Sequence, residues 1–357
     1  MLKPEMPPAA SATPPALRVR AAEAADRPRW DDFVEGCEEA TFFHRFGWSE
    51  VVRKAHGHRT WYLLAEREEA IEGVLPLVLV SSPIFGKALI STGFTVGGGI
   101  AAASDPARRL LAERAAEIGR ERGVDYVELR SETAVLDDWL VKDGTYAVFR
   151  RPLAEDDEEN LKAIPRKKRA DVRKAIKSDL SVEIDAPVAE VYALYAESLR
   201  NHGTPVFSQR FVEAILEEFP DATELSLIRK DGEGLASLLS FFFRDQVLPY
   251  FAGATPAARG HHAFDYLYWT LMQRAAARGV RIFDFGRSKT GTGSYDYKRF
   301  WGFEPQPLSY QYHLVRARAL PDVNPLNPKY RMMVRTWQHL PLWLSRRVGP
   351  LVARQLG

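Results

Sequence analysis

The densest group of chemistry-bearing residues lies where a hydrophobic run gives way to glycines, in IFDFGRSKTGTGSYDYKRFWGF, residues 282–303. Asp284 and Arg287 flank Gly286 there, and Tyr295, Asp296, Lys298 and Trp301 follow closely. Ligands of α/β sheets gather at the carboxyl ends of strands. An aspartate and an arginine at such an end suit the orientation of an amine or a phosphate; equally, they suit a structural ion pair that closes the turn. Lys298 comes after glycines that let backbone approach a ligand, and a cation so placed is suited to an oxyanion. The plainer alternatives are a surface lysine and, for Trp301, a core aromatic. The run GRSKTGTGS has the glycines of a phosphate loop, but Lys and Ser/Thr do not follow the second one, so nucleoside triphosphate binding of that type is excluded.

A second group is the basic run IPRKKRADVRKAIKSDL, with seven Lys or Arg between Arg166 and Lys177. Arg166, Arg169, Arg173 and Lys177 are spaced three, four and four apart, which predicts a basic stripe on one helical face, with Val172 and Ile176 off it and turned to a core. The stripe is a candidate phosphate site or a solvated charged face. It carries no aromatic residue for base stacking, which argues against RNA reading.

His261 and His262 precede a helix beginning near Phe264, where a general base or an anion site is chemically reasonable. No third ligand stands at metal spacing in the sequence, so no metal site is expected. His202, in NHGTPVF, reads as a loop histidine beside a turn that would contact an acceptor. Thr255–Tyr266, TPAARGHHAFDY, partly matches the pyrophosphate loop of acyl-CoA enzymes and adds Tyr266 to the candidate binding residues.

These groups need a scaffold, and the chain repeats one. Gly73–Ser131 and Gly234–Ser288 share an order: a glycine turn and hydrophobic strand (GVLPLVLV; GLASLLSFFF), a glycine-containing passage, a helix capped by glycine, and a strand ending in Arg-Ser. Gly73 to Gly123 is 50 residues and Gly234 to Gly279 is 45. This predicts an α/β (α+β) protein of two copies of one fold, with the strand Ile282–Phe285 central in the second. The expected divisions are a disordered Pro/Ala-rich tail at 1–16, a first domain at 17–150, a connecting segment with the basic helix at 151–179, a second domain at 180–320 and a basic amphipathic segment at 321–357.

Three pieces together resemble the FemAB-like aminoacyl- and acyltransferases: the basic helix, the helix FDYLYWTLMQRAAARGV, and the strand-turn containing Lys298. The resemblance spans about residues 30–316 and, with the tail NPKYRMMVRTWQHLPLWLSRRVGP, is similar to FemAB-related proteins associated with exosortase and PEP-CTERM systems. It implies two tandem GNAT-like domains with mixed central sheets flanked by helices. It also implies transfer of an activated acyl group to an amine of a cell-wall, envelope or exopolysaccharide precursor. In YDYKRFWGF, Lys298 holds the place of the lysine at the family's active site, with Asp284 and Arg287 beside it. The binding residues implied or expected are Arg166, Arg169, Arg173, Lys177, His202, His262, Tyr266, Tyr295 and Trp301. The donor expected is aminoacyl-tRNA or acyl-CoA as co-substrate, with no tightly bound cofactor. Family members that use tRNA can carry an inserted helical hairpin for which this chain has no room. FFHRFGWSEVV resembles the family's opening motif and is expected to build the fold. The first copy lacks a YDYKRFWGF counterpart, so its expected part is to frame the cleft. The rival readings are an acyl-CoA-dependent GNAT N-acyltransferase and a non-catalytic module binding glycans or lipid-linked precursors.

Composition sets the remaining bounds. The chain has 357 residues, 46% hydrophobic and 27% charged, with 49 basic and 47 acidic residues, so no strong overall field attracts nucleic acid. Cys37 is the single cysteine, which rules out an intrachain disulfide. No run approaches a membrane span, and MLKPEMPPAASATPPA has no apolar signal core, so a cytoplasmic protein is expected. Residues 329–357 carry Lys329, Arg331, Arg335, Arg346, Arg347 and Arg354, no acidic residue, and interleaved Met, Trp and Leu. That composition suits either an interfacial helix on anionic lipid or a helix packed back on the domain.

Overall fold

Hydrophobic strand runs joined by short turns, each set followed by an amphipathic helix and a return strand, form two mixed sheets in the computed structural model, which describes residues 15–83, 85–321 and 328–357. Most of the expected tail, residues 1–14, lies outside the described residues, as do the side chains of Lys329 and Arg331.

The first sheet begins with β1 (Arg18–Ala21). It continues through β2 (Thr60–Arg67), β3 (Ala70–Ser82), β4 (Gly86–Ser91), the short β5 (Ala101–Ala102) on β3, β6 (Tyr126–Leu129) and β7 (Leu140–Lys142). Helices α1 (Arg27–Gly36), α2 (Gly47–His56) and α3 (Asp105–Arg122) accompany it. The second sheet contains β8 (Tyr146–Pro152), β9 (Ser181–Ile184), β10 (Thr223–Lys230), β11 (Glu233–Phe243), β12 (Gln246–Ala254), β13 (Ile282–Lys289) and β14 (Pro305–Pro307). With it go α4 (Asp157–Ala163), α5 (Arg166–Ile176), α6 (Val188–His202), α7 (Gln209–Glu218), α8 (Ala263–Ala277) and α9 (Gly293–Phe300). The strand β15 (Tyr310–Leu314) and the helices α10 (Pro328–Gln338) and α11 (Leu342–Ala353) follow.

The repeat seen in the sequence is a repeat of topology. In the first unit β1, β2, β3 and β4 pair antiparallel in succession, α3 crosses over, and β6 returns parallel to β4. In the second, β9, β10, β11 and β12 do the same, α8 crosses over, and β13 returns parallel to β12. Both crossover helices run into the matched glycines, Gly123 and Gly279, at φ of 58° and 78°, a left-handed turn that glycine adopts without strain. β13 is an interior strand of its sheet, between β12 and β8.

The units are laced together by exchange of their last strands. β8, expected to end the first domain at residue 150, pairs with β13 in the second sheet, and β15, expected to end the second domain, pairs with β6 in the first. The cause is in the side chains. Ala147 and Phe149 of β8 enter the core under α8, while Val148 joins Leu308, Tyr310 and Tyr312 on the other face. The basic helix α5 is likewise part of the second unit, because Val172 is buried in that same core. Ile176 departs from expectation: it is exposed, and Ala175 takes the second inward position.

A single aromatic core spans the two units. Phe42 meets Phe241 at 4.5 Å and Trp48 meets Phe211 at 5.9 Å. The FFH of the opening motif therefore builds the fold. His44 is buried, its Nδ1 accepting from Thr41 N at 3.0 Å and its Nε2 lying 3.2 Å from Gly99 O.

Candidate active site

A cavity of about 250 Å³ opens between the sheets. Its walls come from both units: the loop after α1 with Glu39 and Thr41, the first unit's glycine passage with Gly97, Glu132 after β6, Arg150 on β8, and Asp284 and Arg287 on β13. Charge is arranged in chains rather than isolated. Arg108 pairs with Glu39 at 2.8 Å. Arg150 donates to Glu132 Oε2 at 2.7 Å and, from Nε, to Asp284 Oδ2 at 2.6 Å.

Asp284 is buried, and its other oxygen accepts from Gly286 N at 2.7 Å. That bond holds a bulge, for β13 slips register against β8 between Asp284 and Arg287, and Gly286 takes φ of 68° there. The two charged residues flanking the glycine do not pair with each other. Arg287 donates to Tyr310 Oη at 2.7 Å and lies 4.2 Å from the centre of the Tyr146 ring, both residues coming from the exchanged strands.

Lys298 stands behind this wall. From α9 its Nζ donates to the carbonyls of Gly286 and Arg287, each at 3.0 Å, and lies 5.4 Å from the centre of the Phe149 ring. Burial lowers its pKa to about 7 from 10.5, with Arg287's charge adding to the effect and Asp284's opposing it. Such an amine exchanges its proton near neutrality, and two of its three donors are fixed on backbone.

Beside it the parallel ladder stops early. β12 and β13 pair only at Gln246 with Ile282 and Val247 with Phe283, then separate. The equivalent opening of the first unit is filled by its own chain: Arg130 N donates to Ser91 Oγ at 2.8 Å, its guanidinium donates to Thr95 O at 2.7 Å and Gly357 O at 3.2 Å, and Gly357 lies against Ile90.

The other expected residues divide into groups. Arg166, Arg169, Arg173 and Lys177 line one open depression with Lys174, as the helical spacing predicts. Arg169 is tied to the carbonyls of Ile164 and Lys162, while Arg166, Arg173 and Lys177 make no ion pair among the described residues. Lys168, off the stripe, turns inward to Asp265 at 2.5 Å and lies 4.7 Å from the centre of the Tyr297 ring. His262, in a left-handed conformation at φ of 53° before α8, has Nδ1 3.5 Å from Asp265 and 3.9 Å from Asp171. Sequence spacing did not show that two carboxylates gather at His262, and the ammonium of Lys168 already answers Asp265. Tyr295 meets Phe149 edge-on at 5.1 Å, and Tyr266 is half-buried on α8.

Two expected contacts are corrected. Trp301 is fully enclosed between Tyr268 and Phe285, so it is a core side chain and meets no ligand. His202 is not in a loop: it ends α6, its Nδ1 2.7 Å from Ser198 O, away from the lining of the cleft. Arg150, Glu132 and the pair of Glu39 with Arg108 were missed. Arg150 meets Asp284 only because β8 is exchanged into the second sheet, and Glu39 meets Arg108 from 69 residues away within the first unit, so no local signal marks them.

Comparison with known proteins agrees with the tandem architecture. A family model for an acetyltransferase (GNAT) domain matches residues 166–299. No curated protein matches the sequence. Among solved structures, FemX is similar at 14% identity over 89% of this chain and 100% of that one, with a TM-score of 0.66. The C-terminal domain of a putative lysylphosphatidylglycerol synthetase from Agrobacterium fabrum is similar at 12% identity over 81% and 92%, with a TM-score of 0.55. A tandem GNAT protein from the clavulanic acid biosynthesis pathway is similar at 12% identity over 84% and 98%, with a TM-score of 0.54. The chain thus has the FemAB-like tandem GNAT fold, and residues 166–299 of its second unit match the acetyltransferase (GNAT) model.

Proposed function

We propose that the chain transfers an activated acyl or aminoacyl group to an amine, with bond exchange at the opening between β12 and β13 of the second unit. One observation carries this reading. That opening runs along the part of β13 whose Gly286 and Arg287 carbonyls accept from Lys298, a half-buried lysine with a pKa of about 7, whereas its counterpart in the first unit is filled by Arg130 and Gly357. The tandem GNAT fold, shared with FemX, supports the reaction class.

The chemistry needs an uncharged amine held at the carbonyl carbon and a donor for the oxyanion. The amine nitrogen bonds to that carbon, the tetrahedral state collapses, and the ester or thioester bond breaks as the amine proton passes to the leaving group. Lys298 offers its remaining N–H to the oxyanion. Its other two bonds hold Gly286 and Arg287, and with them the bulge that aims Asp284 and Arg287 into the cleft. Asp284 acts with Arg150 to set that wall, and Arg287 faces an anionic part of the substrate. A cavity near 250 Å³ takes a single acyl or aminoacyl group and leaves the bulk of its carrier outside.

The basic face of α5 gives the carrier or the acceptor a place for phosphate, through Arg166, Arg173 and Lys177. Aminoacyl-tRNA and acyl-CoA both fit this description as co-substrates, and no resident cofactor is needed. The match of an acetyltransferase (GNAT) domain that includes the Thr255–Tyr266 loop favours acyl-CoA. An envelope or exopolysaccharide precursor bearing an amine is the proposed acceptor. The test is thermal stabilisation by acetyl-CoA, longer acyl-CoA and aminoacyl-tRNA in parallel, followed by mass spectrometry of amine acceptors incubated with whichever donor stabilises. Stabilisation by one donor and acylated product are expected. No stabilisation and no product with any donor would contradict the proposal.

A further inference from the structure

Helices α10 and α11 both rest on α6 and each keeps one side in solvent. Inward, Val334 lies against Gly203, Gln338 donates to Asn201 O at 3.3 Å, and Gly349 lies against Val206. Ser345, Gly349 and Ala353 complete the buried face of α11. The C-terminal end is held on the first unit, with Ser82 Oγ donating to Gln355 at 3.0 Å. These helices are docked, so the packed-back reading of the segment is half of the answer.

The outer side is the other half. Trp343, Arg347, Leu351 and Arg354 are all exposed and follow one another at four, four and three residues, a single stripe opposite the buried face. Trp343 is 67% exposed and Leu351 54%. On α10 Met332 is 72% exposed and Met333 43%, with Arg335 beside them also in solvent. From Lys329 to Gly357 the sequence has no Asp or Glu. Large apolar groups alternate with arginines, where the core of a protein interface would be depleted of charge. Tryptophan and leucine between arginines match the boundary of an anionic bilayer, where rings sit at headgroup depth and guanidinium groups meet phosphate.

We infer that α10 and α11 form a preformed docking face for an anionic membrane surface. Both helices are already folded on α6, so docking costs little ordering, and the arginines make it sensitive to salt. The inference rests on exposure and charge alone and stands apart from the acyl-transfer reading.

The test is co-sedimentation of the full chain with vesicles of phosphatidylcholine alone or with a third phosphatidylglycerol. Two variants are compared, Trp343→Ser with Leu351→Ser, and Arg347→Glu with Arg354→Glu. Binding is expected only to the anionic vesicles, weakening as salt is raised, with a loss on the order of tenfold or more in each variant. All four side chains are exposed, so unchanged thermal melting is expected and separates lost docking from lost folding. Absence of vesicle binding, or equal binding by the variants, overturns the inference. Binding of single-stranded RNA that depends on Trp343, without vesicle binding, reassigns the stripe to nucleic acid and overturns it as well.

Discussion

Arg150 Nε donates to Asp284 Oδ2 at 2.6 Å, joining β8, which the chain reaches before the second unit begins, to the strand that carries the cleft wall. Asp284 is almost fully enclosed, so its charge depends on this partner and on Gly286 N. Asp284→Ala leaves the Arg150 guanidinium short of one carboxylate and frees the bulge. A loss of about 3 kcal/mol is expected from the denaturant midpoint, as for the breaking of a buried pair. Arg150→Met combined with Asp284→Ala is expected to lose less than the sum of the two single changes, because the pair acts as a unit. Strict additivity would mean that the pair is not coupled.

Exchange of β8 and β15 makes each sheet depend on a strand from the far side of the other. Unfolding is therefore expected as one transition, with far-ultraviolet and near-ultraviolet circular dichroism coinciding in denaturant. A chain shortened to end before Tyr310 would leave the edge of β6 unpaired and is expected to lose the first unit as well as β15. Two separate transitions in the full chain would contradict this dependence.

The repeat, its glycine caps and the helical stripe on α5 were legible because they are local: periods of two and of about 3.6, and Gly123 and Gly279 at matched places. The exchange was not legible. TYAVFRRP alternates like any strand, and nothing within it says that Phe149 packs under α8. The site was readable in part for the same reason. Lys298, Asp284 and Arg287 share a short segment, but the partners that define their roles do not. For Lys298 these are backbone carbonyls, which carry no side-chain signature, and for Asp284 the partner is 134 residues away. Trp301 misled because an aromatic beside a candidate lysine looks the same in sequence whether it faces a ligand or a core.

His44 gives the fold an acid limit. Burial lowers its pKa to about 4 from 6.5, so between those values the folded protein binds fewer protons than the unfolded chain. Stability is therefore full above about pH 6.5 and falls as pH drops towards 4. His56, lowered to about 3 by burial among Phe94, Phe207 and Phe211, extends the same loss to lower pH. His44→Gln is expected to be less stable at pH 7 yet to show a shallower decline between pH 6.5 and 4, followed by urea midpoints across pH. An unchanged slope would exclude His44 as a source of the acid sensitivity.

Charge on α5 is testable without the reaction. Arg166→Glu combined with Arg173→Glu is expected to weaken binding of a phosphorylated donor by about tenfold or more at low salt and to flatten its salt dependence. Both side chains are exposed, so the melting temperature should hold. Equal affinity and an equal salt slope would make the stripe a solvated face.

The most direct measurement is turnover by Lys298→Met, which keeps the aliphatic bulk and removes the N–H donors. With the donor and acceptor found above, kcat is expected to fall on the order of a hundredfold, about 3 kcal/mol, through loss of the oxyanion donor, with a smaller rise in KM from the freed Gly286 and Arg287 carbonyls of the bulge. The pH profile adds a signature. Lys298 has a pKa of about 7, so activity that depends on its protonated form declines above pH 7 in the native chain, and that limb disappears in the variant. Stability moves independently: the folded pKa lies below the ordinary 10.5, so the buried charge costs stability below about pH 7 and the cost is relieved as pH rises from there towards 10.5. A folded Lys298→Met protein with the native kcat and the native pH profile would contradict the proposed site.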